Sequence, residues 1–109
     1  MLWTVTYFNA RVKSEVFALP PGILADYLRL LGMMEKHGVD LRMPYSRAMG
    51  DGLFELRATG REGIGRVFYC TQVGMRIVVL HSFVKKTQET PLAELRIAHK
   101  RLKEVVKHG

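Results

Sequence analysis

The sequence predicts an α+β fold in which an N-terminal strand and a helical hairpin pack on a small antiparallel sheet closed by a C-terminal helix, as a single domain over residues 1–109. Three observations carry this expectation. Residues 53–84 hold three strand-like runs joined by short turns. Residues 9–37 repeat apolar side chains at helical spacing. Residues 91–109 form an amphipathic stretch with no sheet signal.

LWTVTYF, residues 2–8, is rich in β-branched and aromatic side chains and reads as a half-buried strand. Asn9 is placed to cap a short helix through Val12, Val16 and Phe17. Pro20, Pro21 and Gly22 interrupt it, and Leu24, Leu28, Leu31 and Met34 then recur at helical spacing until Gly38 offers a left-handed stop.

DLRMPYSRAMGDG, residues 40–52, mixes proline, glycine and charge without a sustained period, so a loop ending in a turn at Gly50–Asp51–Gly52 is expected. Leu53 to Thr59 alternates: Phe54, Leu56 and Ala58 share one face, and Glu55, Arg57 and Thr59 the other. GREGIG, residues 60–65, turns into Arg66–Gln72, and QVGM turns into Arg76–Val84. Those last two strands are apolar on both faces for part of their length, as central strands are. Thr90 is placed to cap the final helix with Pro91 in its first turn, and Leu95, Ala98, Leu102, Val105 and Val106 form its inward stripe.

With 48% hydrophobic and 25% charged residues, the chain excludes disorder and predicts a single core. Lys and Arg number 17 against 10 acidic residues, +7 overall, and 11 of the 17 lie after residue 50. Such a field attracts polyanions, nucleic acid first among them. Cys70 is the lone cysteine, which excludes an intramolecular disulfide and a cysteine zinc site, and its type fits a small buried hydrophobe. No apolar run spans a bilayer and MLWTVTYF lacks a signal-peptide pattern, so a cytoplasmic protein with no membrane partner is expected.

Arg57, Arg66, Lys85 and Lys86 lie on or at the ends of strands that short turns make neighbours. If Arg66 shares a face with Phe68 and Cys70, it meets Arg57 across the ladder. A bound phosphodiester would offset that repulsion; solvated strand-end charge is the bland alternative. Tyr69 and Phe83 could stack on an unpaired base, and both also suit core packing. His81 shares the face of Phe83 and Lys85, where it could move a proton or sit as a satisfied core histidine. His37, His99 and His108 show no ligand spacing, so no metal or other cofactor is expected. Arg96, Lys100, Arg101, Lys103 and Lys107 lie opposite the apolar stripe of the last helix, where Arg96 and Lys100 could track phosphates. GREGIG joins strands instead of opening a helix, so it is no phosphate-cradling loop.

GLFELR at 52–57, RVFY at 66–69 and IVVLHSFVKKTQETP at 77–91 resemble the phage-derived, HigB-like toxins of the RelE/ParE superfamily, over nearly the whole chain. The resemblance implies a RelE/ParE-like fold and a small toxin encoded beside a helix-turn-helix antitoxin. RelE-like members cut mRNA in the ribosomal A site, whereas ParE-like members poison DNA gyrase, so two activities share one fold. Carried over by position, Arg66 matches the arginine aimed at the scissile phosphate, Lys85 and Lys86 the basic pair after the last strand, and Arg57 a basic strand position nearby. The catalytic strand lysines of RelE are replaced here by Leu53 and Glu55, and residues 91–109 contain no tyrosine. His81, Glu55 and Lys85 are left as candidate proton carriers. The resemblance therefore implies metal-independent cleavage of mRNA on the ribosome, with non-catalytic inhibition of gyrase as the alternative.

Overall fold

The computed structural model describes residues 2–85 and 91–108. Its elements are β1 (Thr4–Tyr7), α1 (Ala10–Phe17), α2 (Pro21–His37), a 3-10 turn at Gly38–Asp40, β2 (Ser46–Gly50), β3 (Leu53–Gly60), β4 (Gly63–Gln72), β5 (Arg76–Lys85) and α3 (Leu92–His108). Five strands form one sheet in the order β1-β5-β4-β3-β2.

Asn9 caps α1 as expected: its Oδ1 accepts the Val12 amide at 2.8 Å, satisfying one of the donors a helix start leaves unpaired. Gly38 ends α2 at φ +49, and a Cβ there would sit inside the Trp3 indole, so both conformation and space demand glycine. At the far end, the Glu62 carboxylate accepts the Gly22 amide at 2.9 Å, and Asp26 accepts that of Thr59 at 2.7 Å. These two contacts tie the start of α2 to the β3–β4 hairpin.

Helices α1 and α2 cover one face of the sheet through Val12, Val16, Ile23, Tyr27, Leu30 and Met34. On the other face α3 packs Ala98 and Leu102 on Leu53, Phe68, Cys70, Val78 and Leu80. The central strands are thus covered twice near their middles, which is why they are apolar on both faces. No single helix among the described residues is long and apolar enough to cross a membrane.

Four expectations are corrected. The sheet is mixed, not antiparallel, because β1 runs parallel to β5, with Thr4 opposite Arg76 and Tyr7 opposite Val79. The expected loop at 40–52 contains β2, an edge strand antiparallel to β3, turned by Gly50, Asp51 and Gly52 at positive φ. Helix α2 buries Ile23, Tyr27 and Leu30 as well as the expected Met34; Leu24 and Leu31 are only partly buried at the edge of the same core, and Leu28 is 46% exposed. Of the expected α3 stripe, Val106 is exposed, because the sheet reaches only the side of α3 that carries Ala98 and Leu102. The expected Thr90 cap lies outside the described residues, and Pro91 precedes α3, its carbonyl accepting the Leu95 amide at 3.1 Å.

Candidate functional site

Arg57 and Arg66 are directly opposite one another in the β3–β4 ladder. Neighbours at such a position share a face and lie within roughly 5 Å at Cβ, so two cations are held together by the backbone register. One residue back on the same face of β3, Glu55 is buried despite its charge, at 1% side-chain exposure. The reason is its partners: Arg66 Nη1 lies 3.3 Å and Arg47 Nη2 3.1 Å from the same Glu55 Oε1. Arg47 reaches this carboxylate because β2 pairs it directly with Glu55.

Arg66 is itself 9% exposed, and its Nε is buried without a hydrogen-bond partner. An orphaned buried donor is uncommon and marks a place where a further acceptor would be stabilising. Burial pulls the Arg66 guanidinium below its ordinary pKa; the Glu55 carboxylate opposes that shift, and the cations of Arg57 and Arg47 reinforce it. Desolvation and like charge thus act together to make an incoming anion favourable. A cleft of about 130 Å³ opens onto this group, lined by Arg47, Glu55, Arg57 and Arg66 together with Met43–Ser46. A larger cavity, about 410 Å³, lies under the C-terminal half of α3, but its charged lining is one aspartate and one arginine, Asp51 and Arg76. Chemistry, not size, favours the arginine cleft.

Phe83 lies opposite Arg66 in the β4–β5 ladder and packs beside Phe68, ring centroids 5.7 Å apart, so it flanks the cluster as a half-buried aromatic. His81 shares this face by alternation with Phe83, opposite Phe68 and stacked near it, and the ladder then shifts register past Leu80. Its ring is held at both nitrogens. Nε2 lies 3.3 Å from the Glu94 carboxylate, and Arg101 Nη1 donates to Nδ1 at 3.5 Å and to the Leu80 carbonyl at 2.7 Å. A guanidinium only donates, so Nδ1 accepts and Nε2 carries the proton shared with Glu94. His81 therefore docks α3 onto the bulged strand, and a proton-shuttling role would require α3 to release it.

Of the two expectations for Tyr69, base stacking and core packing, the residue meets the second. It is 1% exposed on the opposite face, stacked on Phe54 at 5.5 Å and hydrogen-bonded to Ser46, and burial raises its phenol pKa while the Ser46 bond lowers it in part. Arg101 is likewise no solvated charge: it lies 5.5 Å over the Phe8 ring as well as on Leu80. Arg96 and Lys100 are exposed on α3 and do not line the arginine cleft. Lys85 ends β5 opposite Ile64, and Lys86 lies outside the described residues. Among the described residues no three His, Cys, Asp or Glu side chains converge as metal ligands.

Sequence reasoning missed Arg47, Glu94 and the buried pairing of Glu55. A signal for Arg47 was present: the turn at Gly50–Asp51–Gly52 precedes a strand, and a tight turn of that kind presupposes a strand before it.

No curated protein matches the chain. A family model described as "Phage derived protein Gp49-like (DUF891)" matches residues 14–103, a span that takes in the second half of α1, all of α2, the strands β2 to β5 and most of α3. On that match, the chain belongs to the Gp49-like family of phage-derived proteins, a family associated with toxin–antitoxin pairs.

Proposed function

We propose that this chain is the toxin of a cytoplasmic toxin–antitoxin pair and cleaves mRNA on the ribosome, paired with a helix-turn-helix antitoxin that neutralises it. The single observation behind the reading is Arg66: a buried guanidinium with an unpartnered Nε, register-matched to Arg57 and linked through Glu55 to Arg47. Among the described residues lining the cleft, cations outnumber anions three to one. A phosphodiester is an acceptor-rich anion of the kind this group would stabilise, and guanidiniums suit its geometry.

RNA supplies its own nucleophile. The 2′-hydroxyl forms a bond to the adjacent phosphorus while the bond from phosphorus to the 5′-oxygen breaks, leaving a 2′,3′-cyclic phosphate and a 5′-hydroxyl. The proton of the 2′-hydroxyl leaves to a base, and one is delivered to the departing oxygen. Arg66 and Arg57 act on the charge that grows on the nonbridging oxygens, where preorganised donors contribute most. Glu55 is committed to the arginines and His81 to α3, so we assign proton transfer to Lys85 or Lys86 of the FVKK string. Neighbouring cations and desolvation against ribosomal RNA would lower the pKa of either toward the working range.

The test is direct: purified chain added to mRNA-programmed ribosomes should yield fragments ending in a 2′,3′-cyclic phosphate. Intact message at excess protein would reject the reading. A gyrase-inhibiting alternative is favoured by one observation, the apolar Phe17 and Leu28 at 41% and 46% exposure on the helical hairpin. Unimpaired gyrase supercoiling in excess protein would remove that alternative.

A further inference from the structure

The lining of the arginine cleft is chemically divided. Strands β3 and β4 supply Glu55, Arg57 and Arg66, whereas the segment leading into β2 supplies Met43, Pro44 and Tyr45 before Arg47. Met43 is 69% exposed, one of the most exposed large apolar side chains among the described residues, and it lines the arginine cleft. Pro44 is also exposed and offers no donor. Tyr45 is held toward α2, with the Arg29 guanidinium 5.6 Å over its ring, and its carbonyl accepts the Arg57 amide at 2.8 Å. That last bond fixes the apolar segment beside Arg57.

A ligand filling this cleft must be anionic at one end and apolar and flat at the other. An inorganic anion would use the arginines and leave Met43 uncovered. A base-paired strand would present its phosphate but keep its base in the stack. A single unpaired nucleotide meets both halves at once: phosphate on guanidinium, base face on thioether and pyrrolidine ring, with methionine able to adapt to purine or pyrimidine.

We propose that Met43 and Pro44 form the nucleobase wall of the cleft, which takes one unpaired nucleotide with its phosphate on Arg47, Arg57 and Arg66. The inference rests on the phosphodiester reading of the arginine cluster and extends it to base contact by a segment outside the sheet. Because methionine and proline make no directional hydrogen bond, the wall gives affinity for a base without choosing among bases.

The test is an NMR titration of the full chain with adenosine 3′-monophosphate, ribose 5-phosphate and inorganic phosphate at fixed ionic strength, following the Met43 ε-methyl resonance, assigned by its loss in Met43→Leu. The nucleotide should move that resonance upfield by ring current and bind about tenfold tighter than ribose 5-phosphate. Met43→Ser should erase the tenfold advantage and leave ribose 5-phosphate affinity unchanged. Equal binding of nucleotide and sugar phosphate, or a Met43 methyl unmoved at saturating nucleotide, overturns the base wall alone. If none of the three anions binds, the arginine cleft is not a phosphate site and the parent reading falls with it.

Discussion

Replacing Arg66 with alanine removes a guanidinium that, among the described residues, is both buried and incompletely hydrogen-bonded. At 9% exposure its attraction to a phosphoryl oxygen is little screened by water, unlike that of exposed Arg57. Loss of a preorganised donor of this kind costs about 3 to 4 kcal/mol of transition-state stabilisation, a fall of roughly 10² to 10³ in cleavage rate. Arg57→Ala, acting through an exposed charge, should cost about 1 kcal/mol, or roughly fivefold. Folding should survive Arg66→Ala, because Glu55 keeps Arg47 at 3.1 Å and the repulsion of Arg66 by Arg57 and Arg47 is relieved. Arg66→Lys keeps the charge without the planar fork and should fall between the two alanine variants. The assay is single-turnover cleavage of ribosome-bound mRNA, with far-UV circular dichroism melts as the folding control. Folded Arg66→Ala cleaving within threefold of the parent, or losing less than Arg57→Ala, would refute the reasoning.

Other outcomes follow from single contacts. Gly38→Ala must place a Cβ inside the Trp3 indole at φ +49, so overpacking and left-handed strain together should cost about 2 to 5 kcal/mol and lower the melting temperature by roughly 10 °C or more; an unchanged melt would contradict the packing. For Asp26, burial raises the carboxyl pKa, but the Thr59 amide and Arg29 lower it further, leaving it below its usual value. Its contribution is therefore present above the unfolded pKa, about 4, and lost as pH falls through the lower folded value, so melting curves of the parent and Asp26→Asn should converge below about pH 4. Parallel curves down to pH 2 would exclude this. Burial pushes the Cys70 thiol up to about 11, so at pH 8 only about one thiol in a thousand is ionised, and a disulfide reagent should label the native protein at least about 100-fold more slowly than the urea-unfolded chain.

Much of the site was legible before any coordinates. Alternation in β3 put Arg57 opposite Arg66 only on the condition that Arg66 aligned with Phe68 and Cys70. The strands in fact continue through the expected 60–65 turn to Gly60 and from Gly63, and that tight turn fixes the register. Asn9, Gly38 and the β4–β5 hairpin were legible for the same reason: cap and turn chemistry acts over a few residues. Helix α2 shows the limit. It carries two apolar stripes, one through Leu24, Leu28 and Leu31 and one through Ile23, Tyr27 and Leu30, and periodicity cannot say which meets the sheet.

The amino-acid order thus determined the local pieces and the alternation that lets two arginines share a face, since backbone pleat and turn geometry act between near neighbours. Tertiary contact decided the rest. The parallel pairing of β1 with β5 joins residues more than seventy positions apart, and the chain reaches β5 only after α1 and α2 have crossed the sheet and β2, β3 and β4 have been laid down in order. Arg47 reaches Glu55 because β2 pairs with β3, Tyr69 is hidden because α2 covers its face, and His81 is engaged because Glu94 and Arg101 arrive on α3. Burial and partner identity are properties of the assembled core, and they turned a run of basic residues into one desolvated, incompletely satisfied guanidinium.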